Sequence, residues 1–222
     1  MIGAVDERYS VLRSAIDAEL HASGRPSGSV TLVGVSKKQP IAAVIAAVRA
    51  GLGDIGENYL QEAREKFASL PPVRKHFIGH LQTNKARAVV ELFDVVQSVD
   101  RTEAAFALDR AARTLGKHVP VLLQLNVSPV DRFGCPPVEA DALAETIRSL
   151  TGLRYDGVMA IGPMTGDRSE ISRAFHLAAM TFDRVGGTTL SIGMSDDWRE
   201  AVRAGSTMVR VGTALFGGRE TP

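Results

Sequence analysis

Apolar residues recur at a helical period over the first part of the chain. The apolar positions there are mostly three or four residues apart: Val5, Tyr9, Val11, Leu12, Ile16 and Leu20. This spacing predicts an amphipathic helix over residues 4–22. The segment GRPSGS at 24–29 is rich in turn-forming residues and ends the helix. After this break, short apolar runs alternate with segments of helical spacing.

The alternation predicts eight strand–helix units. The predicted strands cover 30–36, 54–58, 76–79, 93–99, 119–127, 153–161, 188–193 and 207–212. The predicted helices lie near 40–51, from 59 to about 69, 81–92, 101–115, 137–149, 169–185 and 195–204, with a closing turn after the last strand. Several strands are continuous apolar runs, as in a parallel sheet covered on both faces. We therefore predict an α/β fold, a (β/α)₈ TIM barrel with an extra N-terminal helix; an open doubly wound sheet is the alternative.

Composition narrows the classes of partner. Of 222 residues 45% are hydrophobic, enough for one core in a single domain over residues 1–222. Lys and Arg number 26 against 25 Asp and Glu, so charge gives no case for nucleic acid or anionic membrane as a partner. No run approaches the roughly 18 apolar residues of a membrane span, and the N-terminal segment lacks a signal-peptide pattern. We expect no membrane or nucleic-acid partner.

Cys135 is the only cysteine, so an internal disulfide and a Cys-x-x-Cys zinc site are both excluded. This fits a reducing compartment, and we expect a cytoplasmic protein. The Cys135 thiol is predicted as a partly buried loop side chain, with a nucleophile as the alternative. His76 and His80 are four residues apart but straddle a predicted strand end, so we predict no metal site.

Candidate functional residues lie at the carboxyl ends of the predicted strands, which form the active face of such barrels. The residues to consider there are Ser36, Lys37, Lys38, Glu57, Asn58, Gly79, His80, Gln97, Ser98, Asn126, Gly193, Met194, Ser195, Gly212 and Thr213.

The ends of the last two strands resemble anion sites. SIGMSDD at 191–197 places Gly193 before Ser195, a good helix N-cap, and RVGTALFGG at 210–218 places Gly212 and Thr213 at the last strand's end. Glycine lets the backbone approach a ligand, and N–H groups at a helix start attract phosphate. Plain turn glycines and a cap are the alternative. The adjacent acids at 196–197 would repel an anion unless they point outward.

Two lysines end the first strand, and barrel closure would bring that strand beside the last one. Lys37 or Lys38 then lies near the phosphate position. In a dry cavity an ammonium loses hydration, its pKa falls, and the amine becomes a nucleophile able to form a Schiff base with an aldehyde. A solvated lysine pair is the alternative, and strand parity does not choose between the two.

Asn58 and Arg210 have both structural and functional interpretations. Asn58 is a helix cap or a ligand contact. Arg210 lies inside an apolar strand, and a buried arginine needs a partner. That partner is either a carboxylate or a ligand's ring nitrogen or phosphate.

Taken together, these motifs carry a family resemblance. VSKKQP, IGENYLQEA, HFIGHLQTNK, SVDR, LSIGMSDDW and AGSTMVRVGTALFG occur in this order. Over roughly residues 5–218 the chain resembles the pyridoxal 5′-phosphate homeostasis protein family, whose members are similar to the barrel domain of alanine racemase.

The resemblance implies a set of cofactor-binding residues. It implies pyridoxal 5′-phosphate held as an aldimine on Lys37, the lysine that follows Val-Ser, with Arg210 facing the pyridine nitrogen and Asn58 near the ring hydroxyl. It also implies a phosphate cradle formed by Gly193, Met194, Ser195, Gly212 and Thr213. An arginine opposite the ring nitrogen keeps it unprotonated and weakens the cofactor as an electron sink.

Two functions follow from the resemblance. The first is a monomeric, non-catalytic protein of vitamin B6 homeostasis that holds the cofactor or delivers it to PLP-dependent apoenzymes. The second is an amino-acid racemase, which needs a proton donor on each face of Cα; racemases supply one from a tyrosine of an additional C-terminal domain. Because this chain ends at Pro222 and its tyrosines are Tyr9, Tyr59 and Tyr155, we favour the non-catalytic function. A Schiff-base aldolase would explain Lys37 but not the motifs.

Overall fold

A closed barrel of eight parallel strands forms the centre of the molecule in the computed structural model, which describes residues 2–128, 130 and 132–218. Each strand pairs with the next along the chain, and the last strand pairs with the first. The strands are β1 Thr31–Val35, β2 Asp54–Glu57, β3 Arg74–Phe77, β4 Val95–Val99, β5 Val119–Leu125, β6 Leu153–Ala160, β7 Thr189–Ser191 and β8 Met208–Val211.

Helices surround the barrel. They are α1 Ile2–Ala22, α2 Ile41–Arg49, α3 Leu60–Phe67, α4 Ala86–Leu92, α5 Thr102–Thr114, α6 Ala140–Ser149, α7 Arg168–Val185, α8 Trp198–Arg203 and α9 Thr213–Phe216. One-turn 3-10 helices at Thr83–Lys85 and Pro137–Glu139 lead into α4 and α6. The closed sheet and the N-terminal helix confirm the predicted barrel, and the doubly wound alternative is wrong.

Element boundaries differ from the predicted ones in two informative places. β3 begins at Arg74 rather than at residue 76, because Arg74 already pairs with Asp54 of β2 although its side chain is exposed. α8 begins at Trp198, three residues later than predicted, because Ser195 belongs to the loop after β7. Polar strand ends and loops that only resemble helix starts carry too little hydrophobic signal to be assigned from sequence.

The buried side chains point either into the barrel or out toward the helices. Residues of one strand alternate between these two directions, because successive strand side chains face opposite sides. Val33 and Val35 of β1 face the interior, whereas Gly34 faces outward, where an added Cβ would lie 2.5 Å from Leu52. α1 packs beside α2, α8 and α9, and its residue Ile16 is fully buried in the apolar cluster there. Within the described residues, every helix is too short or too polar to cross a bilayer.

Candidate functional site

A cavity of about 780 Å³ opens at the carboxyl ends of β1, β6, β7 and β8. Six of the residues predicted from the sequence as cofactor ligands line its wall: Lys37, Met194, Ser195, Arg210, Gly212 and Thr213. Barrel closure explains this grouping, because β1 and β8 are hydrogen-bonded neighbours although they are far apart in sequence. The cavity therefore brings together a lysine, a buried arginine and two loops with backbone N–H groups.

Lys37 and Lys38 face different hollows. Lys37 lies two residues after Val35, and both line the cavity. Lys38 has a left-handed backbone conformation, with φ 57°, and its amide donates to Glu62 Oε2 at 2.8 Å. This turn directs Lys38 into a neighbouring depression. The structure thus separates two lysines that strand parity alone could not distinguish.

A buried ion-pair cluster supports the backbone before Lys37. Glu57 is fully buried and accepts hydrogen bonds from Ser36 Oγ at 3.0 Å and from the Asn58 amide at 2.8 Å. Lys66 Nζ lies 3.1 Å from Glu57 Oε2 and 2.8 Å from Glu62 Oε2. Burial raises the pKa of Glu62. The hydrogen bonds that Glu62 accepts from Lys66 and from the Lys38 backbone amide outweigh burial, and the pKa of Glu62 lies below its usual value.

Lys66 also donates to the Ser36 carbonyl oxygen at 2.6 Å. Sequence reasoning missed Lys66 and Glu62. Their four-residue spacing on one face of α3 was the available signal.

Arg210 is buried at the cavity floor. Its Nη1 donates to the carbonyl oxygen and to Oγ of Ser191, both at 2.7 Å, and its Nη2 donates to the Ala160 carbonyl oxygen at 2.9 Å. Loss of hydration lowers the pKa of Arg210 to about 10, and the charge of Asp197 partly opposes this effect. Arg210 therefore remains a cation at neutral pH, and its side chain donates to carbonyl and hydroxyl oxygens rather than to a carboxylate among the described residues.

Ser195 links the loops after β7 and β8. Its Oγ accepts from the amides of Gly212 at 3.2 Å and Ala214 at 3.3 Å. The prediction that Ser195 caps α8 is wrong, because its hydroxyl is used at the start of α9 and α8 begins at Trp198.

Gly193 lies behind the cavity wall rather than on it. Its φ of 96° is in the left-handed region, and an added Cβ would lie 2.5 Å from Ala201 Cβ. Both features require glycine, and the Gly193 carbonyl oxygen accepts from the Arg210 amide at 2.9 Å. Gly193 thus shapes the loop and helps to position Arg210.

The two acids after Ser195 differ in exposure. Asp196 is exposed, and its carbonyl oxygen accepts from Arg168 Nη1 at 2.7 Å. Asp197 is buried and accepts from the Met194 amide. Burial raises the pKa of Asp197, while the Met194 hydrogen bond and the charge of Arg210 act in the opposite direction. Asp197 is therefore an acid beside a candidate anion site, and Arg168 is a cavity-lining cation that sequence reasoning missed.

Asn58 is not brought together with the other nominated residues. It lines a second depression of about 820 Å³, together with Lys38 and His80. Its Oδ1 is buried and has no hydrogen-bond partner among the described residues. Asn58 is not a helix cap either, because α3 begins at Leu60 after Tyr59.

None of the three tyrosines lines the cavity around Lys37. Tyr9 donates to the Gly51 carbonyl oxygen at 2.9 Å on the outside of the barrel. Tyr59 is exposed in the second depression. Tyr155 lies near the start of β6, where burial raises the pKa of its hydroxyl to about 12.

Cys135 and His80 lie in the loops around β3 and β5. Cys135 is buried, and burial, followed by the charges of Glu139 and Asp100, raises the pKa of its thiol to about 11. The His80 ring stacks on Phe133, with ring centroids 3.7 Å apart.

Comparison with known proteins places the chain among close relatives. The family model described as alanine racemase, N-terminal domain, matches residues 14–220. Proteins named pyridoxal phosphate homeostasis protein are 42% identical in Pseudomonas aeruginosa, covering 99% of this chain and 97% of that protein, and 38% identical in Escherichia coli, covering 94% of each. The structure of PipY from Synechococcus elongatus with PLP bound superposes with a TM-score of 0.86 at 37% identity, covering 96% of this chain and all of that one.

Proposed function

The chain belongs to the family of pyridoxal phosphate homeostasis proteins, and from this we propose that it binds pyridoxal 5′-phosphate in the cavity at Lys37. PipY, a structural neighbour over 96% of this chain, is described with PLP bound. The observation that carries the proposal is that Lys37, Arg210 and Ser195 share one cavity of about 780 Å³.

The loops after β7 and β8 suit the phosphate group. The amides of Gly212 and Ala214 already converge on one oxygen atom, the Ser195 hydroxyl. A phosphate oxygen is the same kind of acceptor, and backbone N–H groups are its usual ligands in barrels of this type. We assign the phosphate to Ser195, Gly212 and Thr213, with Met194 beside it.

Lys37 supplies the covalent link. Its amine would condense with the aldehyde of the cofactor, forming a Schiff base and releasing one water molecule. The buried cluster of Glu57 and Lys66 holds the backbone before Lys37 and so fixes where that side chain leaves the strand.

Arg210 determines what the bound cofactor can do. When bound, the cofactor supplies an electron sink for an attached amino acid, and protonation of its ring nitrogen strengthens that sink. A cationic Arg210 disfavours a second positive charge at that nitrogen. Because the cavity wall also contains no tyrosine, we propose reversible holding of the cofactor without turnover, and its delivery to PLP-dependent apoenzymes in the cytoplasm.

The test is spectroscopic. The purified protein is incubated with pyridoxal 5′-phosphate, its visible absorbance is recorded, and the link is reduced with borohydride and located by peptide mass spectrometry. Lys37→Ala should abolish the reducible band, while Lys38→Ala, the matched control one residue away, should retain it. A reduced adduct at Lys38 would move the site to the second depression, and no adduct in the wild type would reject the proposal.

A further inference from the structure

A continuous chain of hydrogen bonds leads away from Arg210 through the barrel interior. Arg210 Nη1 donates to Ser191 Oγ, and Ser191 Oγ donates to Gln97 Oε1, each at 2.7 Å. Gln97 Nε2 then bonds His76 Nδ1, and His76 Nε2 bonds Asp54 Oδ1, each at 2.8 Å. The chain joins five side chains from five different strands.

The path crosses the barrel rather than following the sheet. Ser191 lies on β7 and Gln97 on β4, and these strands are not neighbours in the sheet. Ser191, Gln97 and His76 are all fully buried. Asp54 is at the first residue of β2, at the end of the barrel opposite the cavity, and its side chain is 19% exposed. A polar connection therefore links the cavity floor to the far face.

Every link in this chain has a defined direction. Arginine can only donate, so Ser191 Oγ accepts from it and is left to donate to Gln97 Oε1. Gln97 Nε2 also contacts Met208 Sδ at 3.2 Å, which suits an N–H donor and fixes the amide orientation. His76 Nδ1 then accepts, so its Nε2–H donates to the Asp54 carboxylate. The hydrogen-bond chain has a cation, Arg210, at the cavity end, neutral groups between, and an anion, Asp54, at the other end.

This arrangement suits positioning rather than proton transport. The Gln97 amide neither gains nor loses a proton readily, so it interrupts any proton path between His76 and Ser191. Aligned hydrogen bonds in a low-dielectric interior polarise one another and hold their end groups in one geometry. The group held at the cavity end is the Arg210 guanidinium.

We propose that Ser191, Gln97, His76 and Asp54 are positioning residues that fix Arg210 against the ring nitrogen of the bound cofactor. This inference rests on the proposed function. It assigns a role to a buried histidine and its carboxylate that lie outside the cofactor cavity.

The test separates positioning from general stability by using two ligands. Dissociation constants are measured for pyridoxal 5′-phosphate and for its deaza analogue, in which C–H replaces the ring nitrogen. The wild type should prefer the natural cofactor by about tenfold or more, because a charged donor faces the nitrogen. Gln97→Met, which breaks the chain at its centre, should reduce this preference severalfold toward one. Asp54→Asn, which keeps an acceptor but removes the charge, should reduce it by about twofold.

The control is Asp94→Asn. Asp94 is exposed just before β4, near the same end of the barrel as Asp54, and it accepts from the Lys75 amide at 2.8 Å without joining the chain. The Asp94→Asn variant should prefer pyridoxal 5′-phosphate over the deaza analogue to the same extent as the wild type. If Gln97→Met does not fold, Ser191→Ala breaks the same chain while keeping the Ser191 carbonyl acceptor for Arg210.

The outcomes distinguish the two proposals. A wild type that binds neither ligand rejects the proposed function. A wild type that binds both ligands equally, or variants of the hydrogen-bond chain that change the affinity for both ligands by the same factor, overturn the positioning role and leave cofactor binding at Lys37 intact.

Discussion

Lys66 Nζ on α3 donates to the carbonyl oxygen of Ser36, 2.6 Å away, and so ties α3 to the residue immediately before Lys37. The same ammonium neutralises Glu57, which has no solvent exposure. One side chain thus supports both the backbone at the candidate site and a buried carboxylate.

We expect Lys66→Met to destabilise the fold by about 3 kcal/mol, because it leaves Glu57 buried and unpaired. The affinity for pyridoxal 5′-phosphate should fall as well, since the backbone before Lys37 loses its anchor. Urea unfolding and a binding titration measure the two effects. Lys85→Met, at an exposed lysine beside the second depression, is the control and should change neither.

A double variant examines the cause of that destabilisation. Adding Glu57→Gln to Lys66→Met removes the uncompensated charge but keeps an acceptor for Ser36 Oγ and the Asn58 amide. Most of the lost free energy of unfolding should return. A double variant no more stable than Lys66→Met would show that the buried charge is not the cause.

The barrel was predictable because several of its strands are apolar runs of the right length. The site was predictable only where its residues lie at strand ends. Lys37, Arg210 and the loop glycines follow from the rule that chemistry lies at strand carboxyl ends. Lys66 and Arg168 act from helices, so their roles depend on how α3 and α7 pack over the cavity mouth. Strand spacing does not contain that information.

Asn58 shows the limit of the strand-end rule itself. It follows β2 directly, yet it lines the second depression and not the cavity at Lys37. Which hollow a strand-end residue faces depends on where the chain turns away from the sheet. The left-handed turn at Lys38 is a similar local feature that hydrophobic patterning does not reveal.

Asp197 should make stability depend on pH. Burial raises its pKa above the ordinary 3.8 in the folded state. The protonated form is therefore favoured by folding, and this contribution is present at low pH and is lost as pH rises through the folded-state pKa. Asp197→Asn keeps an acceptor for the Met194 amide and removes the charge, so its advantage over the wild type should grow as pH rises through that range.

Denaturant titrations of the wild type and Asp197→Asn from pH 4 to pH 7 measure this effect, and a stability difference between them that does not change with pH would contradict it. The same Asp197→Asn variant should bind pyridoxal 5′-phosphate more tightly above that pKa, because an anion beside the phosphate has been removed. Weaker binding would place the phosphate away from Asp197.

Cys135 should be nearly inert in the folded protein. A shift of its pKa from 9.0 to about 11 lowers the thiolate fraction at pH 7.5 by about 100-fold, and burial slows access further. Iodoacetamide labelling followed by mass spectrometry should therefore be at least about 100-fold slower in buffer than in guanidinium. Comparable rates under both conditions would show that the thiol is exposed, and would favour the alternative that Cys135 is a nucleophile.

Arg210 and the composition of the cavity wall should together prevent catalytic turnover of amino acids. Racemisation requires a stabilised carbanion and proton donors on both faces of Cα. Arg210 stays cationic because its pKa is about 10, so it opposes protonation of the ring nitrogen and weakens carbanion stabilisation. Lys37 could serve one face, but no tyrosine lines the cavity to serve the other. We therefore expect no solvent deuterium at Cα when the loaded protein is incubated with L-alanine in D₂O, beyond the level seen with Lys37→Ala plus free cofactor. The cofactor itself should still transfer to an added apoenzyme. Deuterium incorporation with accumulation of the D-isomer over many turnovers would reject the holding role and establish a racemase.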